Sequence, residues 1–172
     1  MSDINISSIS ENKTLSKFDI AENFTCIRFL DHNKERFELE FNLEKGTSFN
    51  TFLIGHNEEL FIIYPPEKQY LNSFNEIISN FFNQYKLKKI NVISGHINPQ
   101  VIKTIKNLSK QFKDLTITCS NPGFKLISEL WNQRNPNLTD FVEIQLPEIN
   151  IIKKELYLKL ENISLELIPI PT

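Results

Sequence analysis

Apolar positions along the chain change their period partway, and the change predicts the architecture. In RFELEF, residues 36–41, Phe37, Leu39 and Phe41 alternate with Arg36, Glu38 and Glu40, the period of two expected for a strand with one wet face. A shorter strand is predicted before it, Phe24 to Leu30, with DHNKE as the turn between them and NLEKG as a second turn at Gly46. TSFNTFLI, residues 47–54, returns as a strand, so the opening third predicts an antiparallel meander. LFIIY, residues 60–64, is apolar throughout, as a strand covered on both faces should be, and Pro65 and Pro66 end it.

Beyond the prolines the period lengthens. Leu71, Phe74, Ile77, Ile78, Phe81 and Tyr85 recur at spacings of three and four, which puts a broad apolar stripe on one face of a helix. INVIS, residues 90–94, predicts a buried strand, and Asn98 followed by Pro99 predicts a capped helix start with Ile102, Ile105, Leu108 and Phe112 on its buried face. LTITC, residues 115–119, then Ser120 to Pro122, repeat the device before Phe124, Ile127, Leu130 and Trp131. Strand–helix units in succession predict a parallel or mixed sheet. Residues 132–140 predict a polar loop, and FVEIQL, IIKKELYLKL and ISLELIPI three strands joined by tight turns. Residues 1–22, rich in Ser, Asn and Glu, predict a loosely held N-terminal arm ahead of one domain over 23–172.

Composition narrows the function classes. A chain of 172 residues supports one core, and 40% hydrophobic with 23% charged residues excludes a disordered or fibrous chain. The formal charge of −2 leaves no electrostatic footprint for a polyanion, so no nucleic-acid partner is expected. KLKK, residues 86–89, is the densest basic run and reads as a solvated turn entering a strand. Cys26 and Cys119 form no CxxC pair and read as reduced core thiols. No apolar run reaches the roughly 20 residues of a bilayer span, and the polar, acidic N-terminus lacks the features of a signal peptide. A cytoplasmic location without membrane contact is expected.

Parallel sheets gather ligands at the carboxyl ends of their strands, which directs attention to SGHINPQVIK, residues 94–103. His96 lies there, but a catalytic metal takes about three protein ligands, and its neighbours are the amides Asn98 and Gln100 and the inert Val101. The nearest carboxylate downstream is Asp114, beyond the predicted helix. On local residues alone His96 is a polar loop histidine. Neither a dinucleotide-binding turn, nor a phosphate-cradling loop, nor a nucleophile elbow is present. His32 and His56 sit beside acidic residues in predicted turns and read as solvated, and Glu38 with Glu40 reads as a wet strand face rather than an acid–base pair.

RFELEFNLEKGTSFNTFLI, residues 36–54, closely resembles the opening of the oxygen-binding diiron domain of flavodiiron proteins. The resemblance continues in order through LFIIY, the long helix, INVISGHINP and TCSNPGFKLISEL, over most of residues 24–172. It implies an α/β metallo-β-lactamase-like fold, here a partial αββα sandwich with a mixed sheet. Flavodiiron proteins reduce oxygen, or in some members nitric oxide, at a diiron centre fed by the FMN of a following flavodoxin-like domain. Their ligand loop is HxExDH. Set on this sequence, its first histidine falls on His96, the glutamate on Asn98, the aspartate on Gln100 and the second histidine on Val101. The family's next histidine follows a strand like ISLELIPI, near where this chain reaches Thr172, so the resemblance implies a truncated domain. SNPG and the GH-x-NP pattern also resemble a ligand-substituted group from oxygenic phototrophs, thought to work beside ligand-intact paralogues in electron transfer from NAD(P)H to oxygen.

The expectations follow from that resemblance. No catalytic or cofactor-binding residue and no metal are expected in this chain; His96 is the only candidate ligand left in the degenerate loop His96, Asn98, Gln100 and Val101. Diiron and FMN belong to the resembled family. The implied function is that of a flavodiiron-like domain related to NAD(P)H:oxygen oxidoreductases, which reduce oxygen to water in photoprotection, non-catalytic alone and acting through a redox partner. Half a sandwich would leave an apolar sheet face bare, so self-association, or association with a flavodiiron or flavin protein, is expected. Two other readings stand beside it: a metal-dependent enzyme in which a partner chain's carboxylate joins His96, and a non-redox interaction module or gene remnant.

Overall fold

The computed structural model describes residues 5–10, 12–34, 36–37, 40–41, 46–133, 144–160 and 163–168. The chain opens with three strands, β1 (Asn5–Ser10), β2 (Lys13–Ala21) and β3 (Phe24–Asp31), each antiparallel to the next. Two short strands, β4 (Arg36–Phe37) and β5 (Glu40–Phe41), pair with each other. Then β6 (Thr47–His56) pairs with β3, setting Ile27 opposite Thr51, and turns through Asn57 and Glu58, both at positive φ, into β7 (Glu59–Ile63). Such backbone suits the tight turn of a right-twisted hairpin.

From β7 onward the sheet is parallel. A 3-10 turn (Lys68–Tyr70) leads into α1 (Leu71–Gln84), followed by β8 (Lys89–Ser94), α2 (Pro99–Gln111), β9 (Leu115–Cys119), α3 (Asn121–Trp131) and β10 (Glu148–Ile151). Among the described residues the main sheet has eight strands in the order β1-β2-β3-β6-β7-β8-β9-β10. A separate antiparallel hairpin, β11 (Leu156–Leu160) and β12 (Ile163–Leu167), completes the described chain.

The alternation of strand side chains sorts the core into two layers. Phe74 and Ile78 of α1, Ile105 and Leu108 of α2 and Ile127 of α3 pack in one cluster with Ile27, Leu53, Leu60, Ile62, Val92 and Ile117, so the three helices share one face of the sheet. Consecutive right-handed crossovers place helices that way. On the opposite face Ile54, Phe61 and Ile93 are buried together with Leu160, and Leu158, Ile163, Leu165 and Leu167 pack against them. The layers therefore run helices, sheet, hairpin, as expected for a partial αββα sandwich with a mixed sheet.

Four expectations change. Of the loosely held arm expected over residues 1–22, Asn5–Ser10 and Lys13–Ala21 are strands: β2 pairs along β3, and Leu15 is buried in the helix-side core. The arm's few apolar residues keep no regular period, so a reading by composition hides the strand, and the boundary at residue 23 falls inside the sheet. RFELEF holds two paired strands rather than one, with Arg36 opposite Phe41 and Phe37 opposite Glu40; an alternating pattern reads the same along one strand or two, so it could not show the reversal. In FVEIQL, residues 144–146 are not strand and 141–143 lie outside the described residues; IIKKELYLKL is broken between β10 and β11. Nor is the second sheet face bare, because the hairpin roofs Ile54, Phe61 and Ile93.

Candidate functional site

The loop between β8 and α2 lies where a parallel sheet presents ligands. Ser94, buried at the end of β8, donates from Oγ to the backbone oxygen of His96 at 2.7 Å, which fixes the turn. The His96 side chain is exposed. Asn98 is extended, at φ −129°, and its Oδ1 accepts the backbone N–H groups of Gln100 at 2.9 Å and Val101 at 3.0 Å. Val101 is 3% exposed and belongs to the helix-side core, whereas Gln100 is exposed.

His96, Asn98 and Val101 line one small cavity of about 70 Å³ together with Phe49, Tyr64 and Tyr70. Gln100 instead lines the open groove beside it, with Asn12, Lys13, Asp31 and Glu67. Tyr64 is held at φ 57°, an uncommon backbone for a bulky residue. Its N–H donates to the Ile93 oxygen at 2.9 Å, and its oxygen accepts from Thr51 Oγ1 at 2.6 Å. The Tyr64 ring lies against Gly95, with Oη 3.1 Å from where a Cβ would stand.

The charges of the groove engage one another. Lys13 lies 3.7 Å from Asp31 and donates to Gln69 Oε1 at 2.6 Å, while Lys34 lies 3.4 Å from Glu67. Burial, with Asp31 and Glu67 nearby, pushes the Tyr70 hydroxyl up to about 12. Sequence reasoning did not find Tyr64 or this groove. Nothing in a periodic pattern signals a positive φ, and the paired groups lie on segments far apart in the chain.

The other candidates stay apart. His32 is exposed in the turn after β3, and His56 at the end of β6 is linked to its neighbour, with Asn57 Nδ2 and His56 Nε2 2.8 Å apart. Glu38 lies outside the described residues. Burial raises both thiols, Cys119 to about 11 and Cys26 against the opposing pull of Arg28. Among the described residues no three His, Cys, Asp or Glu side chains come together in a metal-holding group. The donor set of the loop does not fit a diiron centre: it offers one imidazole, a capping amide, an exposed amide and an aliphatic core residue.

No family model matches the sequence. Diflavin flavoprotein A 6 of Nostoc sp. (strain PCC 7120) is 35% identical over 105 residues, covering 60% of this chain and 18% of that protein. Diflavin flavoprotein A 5 of the same strain is 33% identical over 115 residues, covering 66% and 20%. Among solved structures, the metal-soaked Flv1 flavodiiron core from Synechocystis sp. PCC6803 matches 97% of this chain and 36% of its own, with a TM-score of 0.64 and 26% identity. The chain is a homologue of the flavodiiron proteins. It spans about a fifth of the length of the curated relatives it matches. Rubredoxin oxygen:oxidoreductase from Desulfovibrio gigas, at 16% identity, shares the fold over 86% of this chain and 33% of its own, with a TM-score of 0.64. The fold is thus the metallo-β-lactamase-like core that the flavodiiron resemblance implied. Among the described residues no helix is long and apolar enough to cross a membrane.

Proposed function

We propose that this chain is a cytoplasmic flavodiiron-type domain without an oxygen-reducing centre of its own, and that it acts by associating with a flavin-bearing relative. The donor set of the β8–α2 loop carries the reading. Neutral amides bind transition metals poorly beside carboxylates and imidazoles, and Val101 binds none, so His96 alone cannot hold two irons. Association is supported by exposed apolar side chains away from the helical layer: Ile20 on β2, and Leu156, Tyr157 and Ile168 on or beside the hairpin.

The test uses the purified 172-residue chain. After anaerobic incubation with ferrous iron and desalting, it should retain no stoichiometric iron and consume no oxygen when reduced. Mixed with a full-length diflavin flavoprotein A, it should co-elute with flavin absorbance in gel filtration. Iron near one equivalent per chain, lost on His96→Ala, together with oxygen uptake, would overturn the first half of the proposal. Separate elution at all concentrations would overturn the second.

A further inference from the structure

We infer that the loop between β8 and α2 has exchanged metal coordination for helix capping and core packing, so that Asn98 and Val101 hold this strand–helix unit together. The inference concerns the loop itself and stands whether or not the chain associates with a partner.

It rests on a complete account of the donors at the start of α2. A helix leaves its first backbone N–H groups without partners inside the helix. Pro99 has no N–H to satisfy. Those of Gln100 and Val101 both go to Asn98 Oδ1, and that of Ile102 goes to the Asn98 backbone oxygen at 3.0 Å. An amide oxygen has two lone pairs, and here both are engaged by the helix. A metal at this position would have to take Asn98 away from its cap.

The neighbouring unit supplies the comparison. Ser120 caps α3 through Oγ, accepting from Gly123 N at 3.3 Å, its backbone oxygen accepts from Phe124 N at 2.9 Å, and Pro122 sits in the first turn. The β8–α2 loop is therefore built like the β9–α3 loop beside it, with a polar cap, a proline and a buried residue behind. Val101 completes the exchange: at 3% exposure its side chain is core.

Thermal unfolding by circular dichroism tests this on the full chain. Asn98→Asp should melt with the wild type, since aspartate caps as well as asparagine. Asn98→Ala and Asn98→Glu should melt about 2–4 °C lower, as a lost cap predicts for a chain of this size. Ser120→Ala should show a similar drop. Ferrous iron, added anaerobically, should move none of these midpoints. In Asn98→Ala the Gln100 and Val101 amides should also exchange faster with solvent, which reports on the cap even if the midpoint is hard to compare. Wild-type melting and exchange in Asn98→Ala would overturn the inference. So would a rise in the Asn98→Glu midpoint with iron, because a ligand bound by the folded state alone stabilises it.

Discussion

Gly46 lies so close to Asp31 that a Cβ on the glycine would stand 2.0 Å from the Asp31 backbone oxygen. The two residues sit where β3 ends and β6 begins, and β6 pairs back along β3 from Thr47 opposite Asp31. Gly46 is at φ 74°, the left-handed region that glycine enters at no steric cost. The chain returns to its partner strand at this point because there is no side chain in the way.

Gly46→Ala should therefore be among the most damaging substitutions of a half-exposed residue in this protein. Positive φ alone costs an alanine roughly 1–2 kcal/mol, and the methyl group meets backbone that cannot rotate aside, so a loss above ~2 kcal/mol is expected. Urea unfolding of the variant measures it. A midpoint within error of the wild type would show that the β3–β6 junction is free to move.

How far the sequence revealed the fold depended on how local each signal was. The turn at Gly46, the cap at Asn98 and the stripe of Phe74, Ile78 and Phe81 are written within a few residues, and the structure has all three. What escaped was long-range. Leu15 belongs to the core because β2 pairs with β3, with Leu15 opposite Phe29, and no local pattern states that partner. The hairpin that covers Ile54 and Phe61 comes from the far end of the chain. At the loop, the residue types at 96, 98, 100 and 101 are plain in the sequence; that Asn98 Oδ1 engages both lone pairs with α2, and that the Tyr64 ring lies against Gly95, are properties of the folded chain alone.

Stability should fall in alkali, and the sign follows from burial. Cys119 is fully buried and Tyr70 nearly so, and their protons leave at about 11 and about 12 in the folded chain, against ordinary values of 9.0 and 10.0. The folded state keeps a proton that the unfolded state gives up. The contribution of Cys119 is thus complete below pH 9.0 and is lost as pH rises through about 11. Each group tilts the balance by about 1.4 kcal/mol per pH unit within its window. Urea midpoints across this range should decline from pH 9.0, and Cys119→Ala should make the decline between 9.0 and 10.0 shallower, leaving there the part due to Cys26, before Tyr70 begins to titrate near 10.0. A midpoint flat to about pH 11 would mean that both groups ionise as readily folded as unfolded.

The hairpin should be separable from the rest. Leu160 is 5% exposed and packs with Ile54, Phe61 and Ile93, while the helix-side core on the other face of the sheet contains none of the hairpin residues. Leu160→Asp places a carboxylate among apolar side chains without a partner, a cost of several kcal/mol if the fold stays closed. The cheaper response is for β11 and β12 to lift away, since units joined by few contacts open below the free energy of global unfolding. The variant should then bind a dye that reports exposed apolar surface and be cut by trypsin after Lys153 or Lys154, both exposed in the wild type. Its far-UV circular dichroism should keep the helical signal of α1, α2 and α3. Loss of that signal together with the hairpin would show that the two faces fold as one unit, because the sheet between them could then not stand on its helical layer alone.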